Sequence, residues 1–193
     1  MAWLLDEKRT EHGLGNLLLR VFLREIFQLQ VDPDLSEVVV ESETVNGESR
    51  DRLDICIQGR WRLSGGNSQR WLVIVEAKIT SGEGQDQCAR YERQSRKKIA
   101  QAHRHALVFL TPDGRHSTTG SRRRWKRFSF TKLMALFKPQ LPRLRRRPGF
   151  EFLRLYMTCV LKDICDLNCG GLSQQHDIYS LNEYVTFKGS QRN

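Results

Sequence analysis

Two apolar runs that each adjoin charged residues constrain the fold of this chain more than any other feature of its sequence. In the first run, Leu53, Ile55 and Ile57 alternate with Asp54 and Cys56. This period of two predicts a β-strand with one buried face, and it places Asp54 on the opposite face. The chain is therefore expected to fold around a β-sheet.

The second run, residues 71–75, is continuously apolar, as expected of a central strand covered on both sides, and the charged residues Glu76 and Lys78 follow it. Residues two apart in a strand share a face, so Glu76 and Lys78 are expected to point together. Residues 58–70 contain a glycine pair and are predicted to turn the chain back, which makes the two runs antiparallel neighbours. That pairing brings Asp54 close to Glu76 and Lys78.

Two carboxylates and a lysine at one end of a sheet suit a metal site better than a hydrophobic core. Mg²⁺ prefers oxygen ligands and is commonly held by one or two carboxylates together with a substrate phosphate. A neighbouring lysine can orient a water molecule or offset negative charge on a reacting phosphate. The alternative for Glu76 and Lys78 is a solvated ion pair at the end of a strand.

A helix is predicted over residues 83–97, with Glu83 at its start. Gln87 and Tyr91 are four residues apart in this segment, so they are expected to lie on one helical face. The glycines near this helix are too few for a nucleotide-binding loop, and no GxxxxGK[ST] motif occurs in the chain. Nothing in the sequence therefore indicates ATP use.

Asp54, followed by Glu76-Ala77-Lys78, resembles the signature of the PD-(D/E)xK nuclease superfamily, although Leu53 stands where the motif's proline would be. The pair Gln87 and Tyr91 resembles the Q-x-x-x-Y motif that several branches of this superfamily carry. Residues 2–23 and 106–115 also look like segments of one uncharacterised, mainly bacterial branch. Members of that branch usually have residues ahead of the segment that starts at Ala2, so the chain is expected to be a shortened or fragmentary member.

The resemblance implies an α/β fold of the restriction-endonuclease-like type, a mixed β-sheet flanked by helices with an αβββαβ core. The periodicity of the sequence predicts four elements besides those above: a helix at 13–29, strands at 38–40 and 106–111, and a helix at 149–164. We expect a single domain over residues 1–193, with its core at roughly 13–115 and a basic C-terminal extension at 116–193.

The resemblance also assigns roles to the residues of the predicted site. It implies that Asp54, Glu76 and the backbone carbonyl of Ala77 bind Mg²⁺, with Mn²⁺ as an alternative. It implies that Lys78 positions the attacking water and stabilises negative charge on the phosphate. Gln87 and Tyr91 would support this site or touch the substrate.

Two further residues are candidates on the same grounds. An acidic residue of the first strand sometimes completes the metal shell in the superfamily, which makes Glu43, ahead of Glu41, a candidate ligand. The alternative for both is solvated charge at a sheet edge. His12 matches a recurrent position of the branch and is a candidate phosphate contact at a helix N-terminus. The alternative for His12 is a surface histidine in a turn.

Positive charge is concentrated in one quarter of the chain. Residues 96–147 contain 16 Lys and Arg and one Asp, a net charge of +15, whereas the whole chain carries +10. The candidate nucleic-acid contacts form two clusters: Arg122, Arg123, Arg124, Lys126 and Arg127, and Arg145, Arg146 and Arg147. Any single cluster is more often a solvated loop, but two clusters downstream of a nuclease-like site favour a phosphate backbone.

The remaining features exclude several classes of protein. No apolar run approaches the roughly 18 residues that a membrane span needs, and no secretory signal is visible, so a cytoplasmic location is expected. The five cysteines, at 56, 88, 159, 165 and 169, include no C-x-x-C pair. Cys56 and Cys88 are predicted to act as small hydrophobes. The three late cysteines with His176 could form a zinc site, but reduced thiols are the preferred interpretation.

These observations predict a metal-dependent nuclease that hydrolyses phosphodiester bonds in DNA, in defence or repair by analogy with the family. RNA is an alternative substrate, because basic charge does not distinguish it from DNA. The alternative function is a catalytically inactive nuclease-fold protein that acts as a nucleic-acid-binding or scaffold module. A second copy of the chain is a further candidate partner.

Overall fold

A computed structural model describes residues 1–45, 52–62 and 67–165. The strands are β1 (Asp34–Val45), β2 (Arg52–Arg62), β3 (Ser68–Ala77), β4 (Arg104–Thr111) and β5 (Trp125–Ser129). The helices are α1 (Ala2–Leu5), α2 (Leu17–Phe27), α3 (Gln87–Gln94), α4 (Arg96–Gln101), α5 (Phe130–Phe137), α6 (Leu141–Leu144) and α7 (Phe150–Cys159). One turn of π-helix, Val160–Ile164, continues α7.

The five strands form one mixed sheet whose spatial order is the order of the chain. β1, β2 and β3 are antiparallel neighbours, and β4 and β5 then add to the sheet in parallel. The short helices α3 and α4 provide the crossover from β3 to β4, since parallel neighbours cannot be joined by a tight turn. The predicted αβββαβ order of an α/β fold is confirmed, and β5 extends it.

Helices cover both faces of the sheet. A large hydrophobic cluster packs α2, α5 and α7 against Ile55, Ile57 and other inward side chains of the strands. A smaller cluster packs Cys88 and Tyr91 of α3 against Cys56 on the opposite face. The prediction of one buried face on β2 was therefore wrong, because α3 and α4 cover the second face as well. Cys56 and Cys88 are fully buried, which confirms their prediction as small hydrophobes.

The bounds of several elements differ from those predicted by periodicity. The helix predicted at 13–29 is shorter at both ends, since α2 begins at Leu17. At its C-terminus Gln28 adopts a left-handed φ of 54°, and the backbone N–H of Gln28 closes the last turn. The helix predicted at 83–97 begins only at Gln87 and is broken at Ser95 into α3 and α4. Strand β1 is much longer than the predicted 38–40, so Glu41 and Glu43 lie within it.

The core continues well beyond residue 115. β5 is a member of the sheet, and Phe128, Phe137, Leu153 and Met157 are buried in the large cluster. Residues 116–165 therefore fold with the core and do not form a separate extension. In the part of the chain that the structure describes, each helix is too short or too polar for a bilayer span.

Candidate active site

The strand register brings the two predicted acidic ligands together. Ile55 of β2 pairs with Val75 of β3, so Asp54 and Glu76 are the next residues at the same end of this ladder. The carboxylate of Asp54 also crosses to β3, where Oδ2 accepts a hydrogen bond of 2.9 Å from the backbone N–H of Ala77. The predicted proximity of Asp54 to Glu76 and Lys78 is therefore present in the structure.

Glu76 is a charged residue with no solvent exposure. Its Oε1 accepts hydrogen bonds from Lys78 Nζ at 2.7 Å and from Gln87 Nε2 at 2.8 Å. Its Oε2 is buried and accepts no hydrogen bond from the described residues, and the neighbouring carboxylate of Asp54 can bond to Glu76 only when one of the two is protonated. A buried carboxylate oxygen without a partner costs free energy, so this position is suited to a cation or another donor.

The electrostatics of Glu76 reflect this burial. Loss of water around the carboxylate raises its pKa from an ordinary 4.5 to about 7, the hydrogen bond from Lys78 opposes that rise, and the nearby charge of Asp54 adds to it. Near neutral pH the carboxylate is therefore divided between its protonated and ionised forms. A divalent cation would favour the ionised form.

Lys78 is held in place by the sheet. It follows the last residue of β3, and its backbone N–H donates to the carbonyl of Leu110 at 2.9 Å, which continues the β3–β4 ladder. Its side chain is only 13% exposed and lies against Glu76. The pair is thus a buried one and not the solvated ion pair that was the alternative.

Gln87 and Tyr91 lie on one face of α3, as predicted, and that face is directed at Glu76. The side-chain N–H groups of Gln87 donate to Glu76 and, at 2.9 Å, to the hydroxyl of Tyr91. Its Oε1 accepts from the backbone N–H of Gly84 at 3.1 Å. Because both ends of the amide are bonded, the orientation of Gln87 is determined by its surroundings.

The comparison with protein families identifies the superfamily of this chain. A model of the PD-(D/E)XK nuclease superfamily matches residues 1–157, which is most of the chain. The chain belongs to the PD-(D/E)XK nuclease superfamily. Its mixed sheet flanked by helices is the nuclease-type fold of that superfamily. No curated protein and no solved structure matches the chain.

The donor set of this PD-(D/E)XK site fits a divalent metal ion. Two carboxylates converge, and one of them has a buried oxygen without a partner. Across residues 1–45, 52–62 and 67–165 no group of three or more His, Cys, Asp or Glu side chains is gathered for a metal. Mg²⁺ tolerates such a short set of protein ligands, because it keeps several waters and shares substrate phosphates.

Two other predicted ligands are placed only in part. Glu43 lies in β1 between Ser42, which pairs with Ile55, and Thr44, which pairs with Leu53, so its backbone is beside Asp54. Its side chain is outside the described residues, and its metal role stays a prediction. The metal role of the Ala77 carbonyl also stays a prediction, although Ala77 lies within the described residues. Cys169 and His176 of the imagined zinc site also lie outside the described residues, whereas Cys159 and Cys165 are free thiols.

The two basic clusters lie in different layers of this PD-(D/E)XK fold. Arg122 and Arg123 are exposed in the turn before β5. The neighbouring Arg124 contacts Glu92 of α3 at 3.4 Å, so this turn belongs to the layer that carries Gln87. The exposed Arg145–Arg147 turn follows α6, whose leucines pack in the large cluster on the other face. The structure thus brings the turn at 122–124 of the first cluster, and not the second cluster, to the layer of α3.

Two predicted nucleic-acid contacts are engaged within the protein. The amine of Lys126 donates to the carbonyl of Ile26 at 2.5 Å. His12 is buried at 1% exposure, its Nδ1 accepts from the N–H of Leu14 at 2.9 Å, and its Nε2 lies 3.0 Å from the carbonyl of Asp6. Neither ring nitrogen is available to a phosphate. His12 is therefore a core residue that shapes its turn, contrary to both interpretations from sequence.

Glu83 is the residue near the site that sequence reasoning misplaced. It lies in the loop before α3 and does not open the helix, contrary to the prediction. Its carboxylate accepts hydrogen bonds from the hydroxyls of Ser117, Thr118 and Thr119 and from the backbone N–H of Thr118. The run of three hydroxyl residues was the available signal, but nothing in the sequence connects it to a carboxylate more than 30 residues earlier.

A cavity of about 360 Å³ opens between β1–β3 and α4, away from the acidic pair. Three cations line it, Arg60, Arg70 and Lys98, against the single carboxylate of Glu37, which is already paired with Arg60 at 2.9 Å. Asp54 and Glu76 do not line it, so this cavity is separate from the candidate active site.

Proposed function

We propose that this PD-(D/E)XK protein is a metal-dependent nuclease that hydrolyses phosphodiester bonds in DNA. The observation that carries the proposal is Glu76, which is fully buried with an unpartnered Oε2 beside Asp54 and in contact with Lys78. A purely structural carboxylate would have both oxygens satisfied, since buried polar atoms nearly always are. A charged site of this kind that lacks one partner is suited to an ion and a substrate.

Asp54, Glu76 and the Ala77 carbonyl would hold Mg²⁺, with Mn²⁺ as an alternative and Glu43 as a further candidate ligand. When bound, the ion supplies Lewis-acid polarisation of a phosphate oxygen and lowers the pKa of a coordinated water. Glu76 can accept this role because its Oε1 is used by Lys78 and Gln87 whereas its Oε2 is not.

The chain's own residues account for the rest of the proposed chemistry. Lys78, poorly exposed and 2.7 Å from Glu76, presents a positive charge that offsets the negative charge developing on the phosphate. Gln87 donates a second hydrogen bond to the same oxygen of Glu76, and the hydroxyl of Tyr91 in turn accepts a hydrogen bond from Gln87. Fixing the carboxylate in this way reduces the reorganisation needed when the substrate reacts.

Surface charge supports nucleic acid as the substrate. Arg122 and Arg123 are exposed in the turn that contacts α3, the helix that carries Gln87. Basic surface near an acidic catalytic site is a common arrangement for binding a phosphate backbone while cutting it. The alternative is a binding or scaffold module, in which the same basic surface would hold nucleic acid without cutting it.

Cleavage of linear and circular DNA with and without Mg²⁺ tests the proposal and separates it from the alternative. We expect cleavage that requires Mg²⁺ and is lost in Asp54→Asn and in Glu76→Gln, whereas DNA binding persists. Ca²⁺, which demands less regular geometry, should bind and support little cleavage. A parallel RNA substrate shows which nucleic acid is preferred.

The matched control is Glu151→Gln, an exposed carboxylate on α7. It should cleave like the unmodified protein. Full activity of either site variant would contradict the site, and binding without any cleavage would favour the scaffold alternative.

A further inference from the structure

The connection between β4 and β5 is attached to α3 by two carboxylates. Glu83, just before α3, accepts hydrogen bonds from the hydroxyls of Ser117, Thr118 and Thr119 at 2.7 to 2.8 Å. Glu92, within α3, accepts from the backbone N–H of Ser121 at 2.8 Å and from the guanidinium of Arg124 at 3.4 Å. Residues 117–124 are therefore held along α3 at two points.

The first attachment leads to the candidate active site through two short paths. Thr119 Oγ1, which donates to Glu83, also accepts from the backbone N–H of Cys88 at 3.0 Å. Gly84, next to Glu83, donates its N–H to Oε1 of Gln87 at 3.1 Å. Both paths therefore end at the first turn of α3, where Gln87 donates to Glu76.

The start of α3 depends on these contacts. Asp86 at the N-cap has a left-handed φ of 50°, and its side chain makes no capping hydrogen bond. Helix N-termini leave N–H groups that need acceptors, and a side chain normally supplies one. Here Thr119 supplies it from a segment more than 30 residues away, so the position of α3 follows that of the connection.

We propose that Glu83 and Glu92 are positioning residues with separate effects: Glu83 directs Gln87 at Glu76, and Glu92 holds the basic turn 121–124 beside the site. This inference rests on the proposed nuclease function. Glu83 should therefore affect turnover, because its contacts lead to the carboxylate of Glu76. Glu92 should affect substrate affinity, because its contacts lead to the exposed arginines.

The charge state of Glu83 agrees with a positioning role. Partial burial opposes ionisation, but the hydrogen bonds from Thr118, Cys88 and Ser117 outweigh it and lower the pKa to about 2. Glu83 thus stays ionised at every pH at which a nuclease assay is practical. It is a fixed acceptor and not a group that transfers a proton.

Steady-state kinetics of five variants test both roles. Glu83→Gln and Thr119→Val should each lower kcat by about tenfold, the scale seen when a supporting partner of a site is removed, with little change in KM. Thr119→Ser keeps the hydroxyl and should restore kcat. Thr158→Val is the matched control, because the Thr158 hydroxyl donates to the carbonyl of Arg154 within α7, and this change should leave kcat unchanged. Glu92→Gln should instead raise KM and leave kcat unchanged.

A second measurement does not depend on cleavage. Exchange of the Gln87 side-chain amide protons with solvent, followed by NMR, should accelerate several-fold in Glu83→Gln and Thr119→Val and stay unchanged in Thr119→Ser. If the unmodified protein cleaves nothing but this exchange responds as stated, the nuclease function fails and the positioning role stands. If folded Glu83→Gln and Thr119→Val both keep the kcat and the Gln87 exchange of the unmodified protein, the inference is overturned. Thermal melting of each variant establishes that it is folded.

Discussion

At the residue scale, the burial of Glu76 has two effects. It makes the ionised carboxylate unfavourable for folding, and it makes the same carboxylate favourable for binding a cation. Its carboxylate is removed from water, yet the described residues satisfy only one of its two oxygens. Ionising such a group in the folded state costs free energy, which is why its pKa is raised to about 7. Binding a cation would recover that cost, so stability, proton binding and metal binding are linked at this residue.

The first prediction concerns the stability of the metal-free protein. The pKa of Glu76 is 4.5 in the unfolded chain and about 7 in the folded one. At a pH between these two values the residue is mainly ionised when unfolded and mainly protonated when folded, so folding takes up a proton. The stability contributed by Glu76 is therefore complete below about pH 4.5 and is lost as pH rises through 7. Urea denaturation in a chelator at pH 5 and pH 8 should show a loss of a few kcal/mol that Glu76→Gln lacks. Equal pH dependence of the two proteins would contradict it.

Lys78 should act on the reaction more than on binding, because its amine contacts the buried carboxylate of Glu76. We expect Lys78→Ala to lose on the order of a hundredfold in cleavage rate, the scale of removing one preorganised electrostatic donor. Affinity for uncleaved DNA should change little. Lys97→Ala, an exposed lysine on α4, is the matched control. If Lys78→Ala bound DNA poorly but cleaved what it bound at the normal rate, Lys78 would be a phosphate anchor.

Residues whose partners follow from strand geometry could be located from the sequence. Asp54, Glu76 and Lys78 meet because alternation and a hairpin determine which side chains face each other. His12 and Glu83 could not be placed in this way. The carbonyl of His12 accepts from the N–H of Gly149, and Glu83 binds residues 117–119, so their environments depend on chain segments that are distant in sequence.

At the scale of elements, the connection between β4 and β5 is closely packed against its neighbours. A Cβ atom at Gly120 would overlap the ring of Trp125 and lie 2.8 Å from the Cβ of Cys88. Gly120→Ala should therefore destabilise the protein by about 1–3 kcal/mol, the usual cost of overpacking. Gly82→Ala is the matched control, because a Cβ atom at that position would have no neighbouring atom within 4 Å. Denaturant midpoints of the two variants measure the difference, and equal midpoints would contradict the packing argument.

The same connection explains which elements periodicity could not predict. β5 contains two exposed basic residues between buried Trp125 and Phe128, so its composition indicated a basic binding segment and no strand was predicted there. It is a strand because the edge of β4 provides hydrogen-bond partners for it. The break at Ser95 between α3 and α4 is likewise absent from the local pattern. The central parts of β2, β3 and β4 and the amphipathic α2 were predictable, because each contains a clear apolar pattern of its own.

At the scale of the whole molecule, the basic clusters have unequal access to the site. Each phosphate neutralised by a cation lowers the slope of log affinity against log salt by about 0.9 on duplex DNA. Changing Arg122, Arg123 and Arg124 together to Ala should reduce the steepness of that slope by about two, because Arg124 is engaged with Glu92. Weakening should be similar across unrelated sequences, since phosphate contacts carry no sequence information.

The comparison variant changes Arg145, Arg146 and Arg147, which lie in the other layer. Binding of both triple variants is measured in a Lys78→Ala background over a range of salt. A slope reduced only by the first change places DNA on the layer of α3, and a slope reduced by both means that DNA contacts both layers. An unchanged slope for both would show that these arginines are solvated surface.

The long strand β1 lies at one edge of the described sheet, and its ladder with β2 is interrupted between Ser36 and Val39. There Glu37 takes a left-handed φ of 52° and forms its ion pair with Arg60. A bulge bearing a charge bends the edge away from incoming chains, which is how many proteins avoid aggregation through open strands. Deleting Glu37 should straighten this edge and let copies of the chain associate as concentration rises, which light scattering would detect. We therefore expect the irregularity in β1 to disfavour edge-to-edge pairing between copies of the chain.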